Sequence, residues 1–316
     1  MKLAFCFLSY EDVTHREVWE EFFRDVPSSN YAIWVHRKDG VGTSEMPGAA
    51  CIATQPTEYG GFSLVHVQQR LLEAACGDAD VGKCMLVSGD TVPLQPFETV
   101  ARSVMSHSQG VLAWDDGLAV SHAQRERTVR RGAWPERWSW VWRVAPQWSV
   151  LTREHVQLLA RHWRMLAEVF GPSLAPDEHV YPVFFQALGL LRQFVRQPYM
   201  CVDWQRPTAN GRCDLPHRDL PRTFHERDLR PEAVRALRER GYVMLRKVCE
   251  DYACPPLWID RPDRQPDRGP VILTPDQLGK VDRSSGTLLA TASGGGGWVL
   301  RVQEGANGPP PRNGKR

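Results

Sequence analysis

Short apolar runs alternate with amphipathic segments along the first two-fifths of the chain. KLAFCFLSY, YAIWVH, CIAT, KCMLVSGD and GVLAW have the composition of buried strands. Between them, REVWEEFFRDV, SLVHVQQRLLEAA and FETVARSVM carry apolar residues at helical spacing. In the second of these helices Leu64, Val67, Leu71 and Leu72 share one face. The alternation predicts an α/β fold with a mostly parallel central sheet and helices on both faces.

A sheet of this kind predicts where a ligand would bind. Ligands of open α/β sheets lie beyond the carboxyl ends of the strands, where the connecting loops converge. Three polar segments follow predicted strands, at residues 36–39, at residues 88–91 and at Asp115–Asp116. We therefore expect these three segments to surround one crevice.

The second half of the chain predicts fewer and less regular elements. Residues 118–145 are rich in Arg and Trp and have no clear period, whereas QWSVLT predicts a strand and residues 153–170 one long helix. DEHVYPVFFQALGLL predicts a further helix, YMCVDW a strand, RPEAVRALRERG a short helix, and YVMLRKV a strand or helix end. Beyond residue 255 the chain is rich in Pro, Gly and Arg. We expect one domain over residues 1–254 and a loosely ordered tail over residues 255–316.

Composition excludes several classes of partner. The net charge of +2 predicts no polyanion, so we expect no nucleic-acid partner, and we interpret the Arg-rich segment 125–143 as a solvated face. No window approaches 18 apolar residues, and the first 15 residues lack a signal-peptide pattern, so we expect no transmembrane segment. The eight cysteines show no zinc-ligand spacing. They leave open a reducing compartment or a few disulfides.

Nucleotide-binding motifs are absent, but two acidic turns have candidate chemistry. The chain has neither GxGxxG nor GxxxxGK[ST], and it lacks the GxSxG of serine hydrolases. WDDG, residues 114–117, could hold a divalent cation, although a turn after a strand explains it equally well. SGDTVPL places Asp90 where a nucleotide-sugar enzyme often has Asp-x-Asp, yet the second acid is missing. If the crevice binds a sugar nucleotide, another group must neutralise the charge of its diphosphate. The candidates are four basic residues: Arg218, Arg222, Arg246 and Lys247.

The segment PDEH precedes the apolar run from Val180 to Leu191 and supports two interpretations. Pro176 suits the first position of a helix, and Asp177 and Glu178 would favour the helix dipole there. Alternatively, a helix start at the edge of a cleft holds a catalytic carboxylate. These residues alone leave both interpretations open.

Eight segments in order carry a resemblance to a known family. They are FCFLSYEDVTHREVWEEFF, YAIWVHRKD, TEYGGFSLVHVQQRLLEAA, MLVSGDTVPLQPFETV, QWSVLTREHV, DEHVYPVFF, CVDW and RTFHERDL. The chain resembles the core 2/I-branching β-1,6-N-acetylglucosaminyltransferases, in particular their plant-type and microbial branch, which is related to peptide O-xylosyltransferases. The resemblance covers residues 2 to about 249. The resemblance does not extend to the tail.

The resemblance implies a GT-A-like fold and an inverting transfer of a sugar from a UDP donor, with no metal and no other cofactor. Glu178 then corresponds to the general base, Lys247 to the lysine that meets the diphosphate, and Arg218 or Arg222 to its arginine partner, with Arg218 as first choice. The further candidates are His36 for the nucleoside, Arg246 for the diphosphate, Trp148 and Trp204 for the acceptor sugar, and Asp115 or Asp116 for acceptor hydroxyls. Arg127 and Arg130 could also reach the acceptor, although solvated positions suit them better.

The implied donor is UDP-N-acetylglucosamine, with UDP-xylose as second choice, and the implied acceptor is a glycan or glycoprotein. Two other functions stay open: a non-catalytic nucleotide-sugar or carbohydrate-binding protein, and a metal-dependent transferase that uses Asp90 or Asp115–Asp116. Plant-type members read WRKGSQW where this chain has WRVAPQW, and HPATF where it has LPRTF. Family members often have a Golgi-membrane anchor, which the N-terminal residues here do not resemble.

Overall fold

A computed structural model describes residues 1–114, 143–173, 175–203 and 221–259, and the backbone of three later strands. The helices of the described chain are α1 (Arg16–Phe23), α2 (Phe62–Cys76), α3 (Phe97–Met105), α4 (Arg153–Arg161), α5 (Trp163–Phe170), α6 (Val180–Ala187) and α7 (Pro231–Glu239). The first ten strands are β1 (Lys2–Ser9), β2 (Tyr31–Arg37), β3 (Ala49–Cys51), β4 (Val81–Ser88), β5 (Val92–Pro93), β6 (Gly110–Val111), β7 (Val150–Thr152), β8 (Phe194–Val195), β9 (Met200–Val202) and β10 (Met244–Arg246).

The central sheet has seven strands in the order β3-β2-β1-β4-β7-β6-β8. The pairs β3-β2, β2-β1, β1-β4 and β6-β8 are parallel, and β7 is antiparallel to both of its neighbours. Helix α2 packs on β1, β2 and β4. This mixed α/β sheet confirms the predicted mostly parallel, GT-A-like fold.

Strand register brings three loops to one edge of the sheet. Leu8, near the end of β1, pairs with His36 on one side and with Ser88 on the other. The segments that follow β1, β2 and β4 therefore leave the sheet side by side. Two of the three predicted crevice segments, residues 36–39 and 88–91, thus come together, whereas Asp115–Asp116 lies outside the described residues. A second sheet, β5-β10-β9, pairs β10 with the segment just beyond β4.

Helix α1 anchors this edge through an aromatic cluster. Trp19 is fully buried, and its ring packs edge-on against Phe5 and Phe7 of β1 and against Phe22. Its indole Nε1 donates a hydrogen bond of 3.0 Å to the carbonyl of Thr91. Because a buried indole N–H requires an acceptor, this bond holds the turn after β4 against the core.

Two predicted helices differ from those observed. The single helix expected over residues 153–170 is two helices, because His162 adopts φ −106° and ψ 11° and interrupts the backbone ladder between α4 and α5. The helix expected to begin at Asp177 instead begins at Val180. It follows a separate 3-10 turn, Pro176–Glu178, that contains both acids. The acids therefore precede the α-helix and do not form its first turn.

Residues 261–316 form a second compact unit. Its described strands, β11 (Val271–Leu273), β12 (Thr287–Ser293) and β13 (Gly297–Gln303), form an antiparallel sheet in the order β11-β13-β12.

The described part of the chain contains no helix with the length and apolar character needed to cross a bilayer. Its seven cysteines are free thiols, and Cys6, Cys84 and Cys254 are buried.

Lys83 gives the first testable prediction. It lies in β4 and is only 5% exposed. Its Nζ donates to the carbonyl of Val104 in the last turn of α3, and to those of His107 (2.7 Å) and Gln109 (2.6 Å) just beyond the helix. We expect Lys83→Met to lower the free energy of unfolding by about 2–4 kcal/mol, because one buried and two partly buried carbonyls lose their donor.

Chemical denaturation measures this loss. Lys2→Met is the matched control, because Lys2 is more exposed and makes one ion pair of 2.8 Å with Asp78, which is worth at most about 1 kcal/mol. Equal losses in the two variants would show that the Lys83 hydrogen bonds do not stabilise the fold.

Candidate functional site

A cleft of about 870 Å³ opens at the carboxyl ends of β1, β2 and β4. This volume suits a ligand the size of a nucleotide sugar. Five of the predicted site residues line the cleft: His36, Trp148, Glu178, Arg246 and Lys247. They come from regions of the chain more than two hundred residues apart, so the fold brings together what the sequence separates.

Glu178 reaches the cleft from the 3-10 turn Pro176–Glu178. Ala175, just before the turn, has a left-handed backbone with φ 45°, which is uncommon for a residue that carries a Cβ. Its N–H donates to the carbonyl of Gly60 at 3.2 Å, and the N–H of Glu178 donates to the carbonyl of Ala175 at 3.0 Å. The backbone of the turn is therefore held in place before any ligand binds.

The segment 143–148 is tied to the same turn. The N–H of Ala145 donates to the carbonyl of Glu178 at 2.9 Å, and Nδ1 of His179 lies 3.1 Å from the carbonyl oxygen of Arg143. Burial lowers the pKa of His179 to about 4, so its imidazole is neutral and Nδ1 carries the donated proton. The departures at Val144 and Pro146 thus lie on a wall that is hydrogen-bonded to the Glu178 turn.

A buried chain of side chains also supports this wall. The hydroxyl of Tyr181 donates to Oε1 of Gln68 at 2.8 Å, and Nε2 of Gln68 donates to Oε1 of Gln147 at 3.3 Å. Tyr181 and Gln68 are fully buried, whereas Gln147 lines the cleft. Gln147 was not among the predicted site residues, and its only sequence signal is that it opens the predicted strand QWSVLT.

The carboxyls of Asp177 and Glu178 share a poorly solvated environment. Burial, followed by the negative charge of Asp177, raises the pKa of Glu178 to about 7. Burial raises the pKa of Asp177 to about 6, and its Oδ1 has no hydrogen-bond partner among the described residues. Glu178 therefore changes its protonation state near neutral pH, as a general acid or base requires.

Arg246 and Lys247 form a basic pair on the cleft wall, at the end of β10. Arg246 Nε lies 3.1 Å from Asp90 Oδ1, and Lys247 Nζ lies 3.8 Å from Asp90 Oδ2. The guanidinium carbon of Arg246 also lies 4.9 Å from the ring centre of Trp148. Because Trp148 is only 6% exposed, its ring mainly supports Arg246, and a contact with the acceptor sugar stays a prediction.

His36 is the second-last residue of β2 and is 2% exposed. Its Nε2 accepts the backbone N–H of Gln55 at 3.1 Å, and burial lowers its pKa. The imidazole is therefore neutral with its proton on Nδ1. Such a group offers one hydrogen-bond donor without adding charge, and its contact with a nucleoside stays a prediction.

Asp12 organises the loop after β1 and was missed in the sequence analysis. Its carboxylate accepts the backbone N–H groups of Val13 and Glu45, both at 2.7 Å, the Ser44 hydroxyl, and Arg37 Nη1 at 3.0 Å. The same rule that selected the segments after β2 and β4 would have found Asp12, because it follows the carboxyl end of a parallel strand.

The remaining predicted residues have different outcomes. Arg222 is not among the residues that line the cleft, although Pro221 beside it is, and it pairs with Asp203 at 3.6 Å and with Asp228. Its role stays a prediction. Six other candidates lie outside the described residues: Asp115, Asp116, Arg127, Arg130, Trp204 and Arg218. Within the described residues, no group of three or more His, Cys, Asp or Glu side chains is arranged to hold a metal ion.

The profile of the Core-2/I-Branching enzyme family matches residues 3–238, which is most of the chain and includes Glu178. The chain belongs to the Core-2/I-branching enzyme family. Glycosyltransferase BC10 of Oryza sativa subsp. japonica is 26% identical over 271 residues, a match that covers 75% of this chain and 66% of the rice protein. The match thus spans just under two-thirds of that relative.

Among solved structures, 2-C-methyl-D-erythritol 4-phosphate cytidylyltransferase from Thermus thermophilus is similar with a TM-score of 0.33 and 17% identity. The similarity covers 60% of this Core-2/I-branching chain and 85% of the cytidylyltransferase.

The paired acids make the stability of this Core-2/I-branching chain depend on pH. A carboxyl whose folded-state pKa is raised binds more protons folded than unfolded, so stability falls as pH rises from about 4.5 to about 7. We compare the free energies of unfolding of Glu178→Gln and the parent protein at pH 8 and at pH 4.5. The difference between the two proteins should favour Glu178→Gln by about 2 kcal/mol more at pH 8 than at pH 4.5.

Denaturant unfolding at the two pH values measures this difference. Glu58→Gln is the control, because Glu58 lines the same cleft but is exposed. A Glu178→Gln effect of equal size at pH 4.5 and pH 8 would contradict the raised pKa.

Proposed function

We propose that this chain is an inverting glycosyltransferase that moves a sugar from a UDP donor to a hydroxyl of a glycan or glycoprotein acceptor. One observation carries the proposal: a single cleft contains a desolvated carboxylate, Glu178, and a basic pair, Arg246 and Lys247. These groups match the two charges that glycosyl transfer must manage, the acceptor proton and the leaving diphosphate. N-acetylglucosamine is the first choice of donor sugar and xylose the second, on the family resemblance.

Glu178 serves as the general base in this mechanism. The acceptor oxygen forms a bond to the anomeric carbon from the face opposite UDP, while its proton passes to the Glu178 carboxylate. The bond between the anomeric carbon and the UDP oxygen breaks, and its electron pair stays on the β-phosphate. A base with a pKa near 7 combines a useful deprotonated fraction with a strong affinity for the proton.

Arg246 and Lys247 stabilise the leaving UDP. The β-phosphate gains negative charge as the glycosidic bond breaks, and two adjacent cations can neutralise that charge without a metal ion. Arg246 offers a planar fork of donors, and Lys247 adds a mobile point charge. Metal-free transfer is therefore part of the proposal.

The remaining cleft residues fit the nucleoside and the acceptor. His36 offers an Nδ1–H donor to the nucleoside at the end of β2. Gln147 lies on the cleft wall with Glu178, and its Oε1 accepts from Gln68. Its Nε2 can donate to an acceptor hydroxyl. The printed name of the rice relative, a glycosyltransferase, also supports transfer chemistry.

A non-catalytic protein that binds nucleotide sugars is the second candidate function. The charged walls of the cleft do not separate it from an enzyme. The raised pKa of Glu178 favours the enzyme, because a protein that only binds gains nothing from a costly desolvated carboxyl.

Glu178→Gln tests the base. We expect the rate of transfer to fall by about 10²–10⁴-fold, because an amide cannot accept the acceptor proton, while the Kd for UDP changes little. Parallel measurements of UDP release and UDP binding separate the two effects.

The pH profile gives an independent reading of the same residue. In the parent protein kcat/KM should rise with pH and level off above about 7, since the base must be deprotonated. Glu58→Gln is again the control. Full activity in Glu178→Gln would exclude Glu178 as the base.

The donor and the need for metal are tested together. We expect UDP release from UDP-N-acetylglucosamine or UDP-xylose to continue in excess EDTA, because the basic pair takes the place of a cation. A panel of UDP-sugars, assayed with and without simple acceptors, identifies the donor. Release that returns only with added manganese would assign the site to Asp90 or Asp115–Asp116.

A further inference from the structure

Asp90 is an anion placed inside a site for anions. It follows β4 and lines the cleft, and its carboxylate contacts both members of the basic pair, at 3.1 Å from Arg246 Nε and 3.8 Å from Lys247 Nζ. The Ser88 hydroxyl donates to the same Oδ1. A negative charge at this point repels any phosphate that approaches the two cations, so its presence requires an explanation.

The Asp90 carboxylate is not needed to hold Arg246. The backbone of Arg246 lies in β10, where it pairs with Val202 of β9, and its guanidinium packs over the ring of Trp148. Lys247 is less constrained than Arg246. Its side chain is 47% exposed, and its ion pair with Asp90, at 3.8 Å, is the longer of the two. Arg246 would therefore keep its place if the charge of Asp90 were removed, whereas Lys247 would lose this ion pair.

We propose that Asp90 is the internal counter-ion of Arg246 and Lys247, and that the phosphate groups of the ligand displace its carboxylate from them. The proposal rests on the proposed function, because it assumes that the ligand is a nucleoside diphosphate. Asp90 lowers the affinity of the site for phosphate in return for neutralising two clustered cations in the empty cleft.

Selectivity follows from this competition. A phosphate displaces Asp90 only if its attraction to the two cations exceeds that of one carboxylate. A diphosphate carries more charge than a monophosphate, so it displaces Asp90 more readily. A nucleoside without phosphate does not reach Arg246 and Lys247, so its affinity does not depend on the charge of Asp90. Asp90 therefore tunes which charged ligands the cleft retains, and in particular how readily UDP leaves.

Asp90→Asn tests this role with little change of shape. The amide oxygen can still accept from Arg246 Nε and from Ser88, and only the charge is lost. Calorimetric titration in excess EDTA, with uridine, UMP, UDP and inorganic pyrophosphate, measures the Kd of each ligand at low and high salt. Glu250→Gln is the matched control, because Glu250 is an exposed carboxylate on the same cleft wall, three residues after Lys247.

We expect Asp90→Asn to bind UDP and pyrophosphate about tenfold more tightly at low salt, and UMP by a smaller factor. Uridine affinity should change by less than about twofold, and the gain for UDP should shrink at high salt because ions screen the charges. Glu250→Gln should change each Kd by less than about threefold.

Other outcomes overturn the proposal. Weaker binding of UDP and pyrophosphate by Asp90→Asn would mean that Asp90 positions the cations, and unchanged binding would mean that it does not compete. UDP binding that requires manganese and is lost in Asp90→Asn would make Asp90 a metal ligand.

The proposed function fails separately. Asp90→Asn could bind pyrophosphate more tightly although neither it nor the parent protein binds UDP. That outcome would support Asp90 as the counter-ion and exclude a UDP donor. A parent protein and variant that bind no phosphate ligand at all would overturn both proposals.

Discussion

The register of three parallel strands is the constraint on which the candidate site depends. Leu8 of β1 pairs with both His36 and Ser88, so the loops after β1, β2 and β4 begin at one level of the sheet. A shift of one residue in β1 would exchange the rings of Phe5 and Phe7 with the small side chains of Ala4 and Cys6 between two buried faces, and the packing of both faces opposes it. The stability of the core thereby fixes where Asp12, His36 and Asp90 stand.

Local strain then positions the groups that the sheet itself does not carry. His15 and Ala175 are the non-glycine residues of the described chain with positive φ, at 54° and 45°. His15 turns the chain from the cleft-lining loop after β1 into α1, and Ala175 turns it into the Pro176–Glu178 segment. Such conformations persist only where surrounding contacts impose them. Here the imposing contacts include the bonds from Ala175 to Gly60 and from Ala145 to Glu178.

The sequence predicted the parts of this structure that depend on periodic burial. The helix from Phe97 to Met105 and the strand at the N-terminus were predicted within a residue, because apolar spacing reports directly on which face is buried. The break at His162 was not predictable, since the pattern of α4 continues in phase into α5. Nor could spacing reveal Gln147 or the Asp90 ion pairs, because these depend on contacts between distant segments. The family resemblance, not periodicity, selected Glu178 among many acids.

The two acidic positions of the cleft illustrate opposite uses of one functional group. Asp177 and Glu178 lie where burial opposes ionisation, and no cation among the described contacts offsets it, so a proton is held near neutral pH. Asp90 lies beside two cations and accepts a hydrogen bond from the Ser88 hydroxyl, so these neighbours offset its charge. In the proposed function, the compensated acid stands at the diphosphate end and the uncompensated acids at the acceptor end, which would separate charge neutralisation from proton transfer. The chemistry of the cleft thus depends less on which acids it contains than on which of them the fold supplies with a partner.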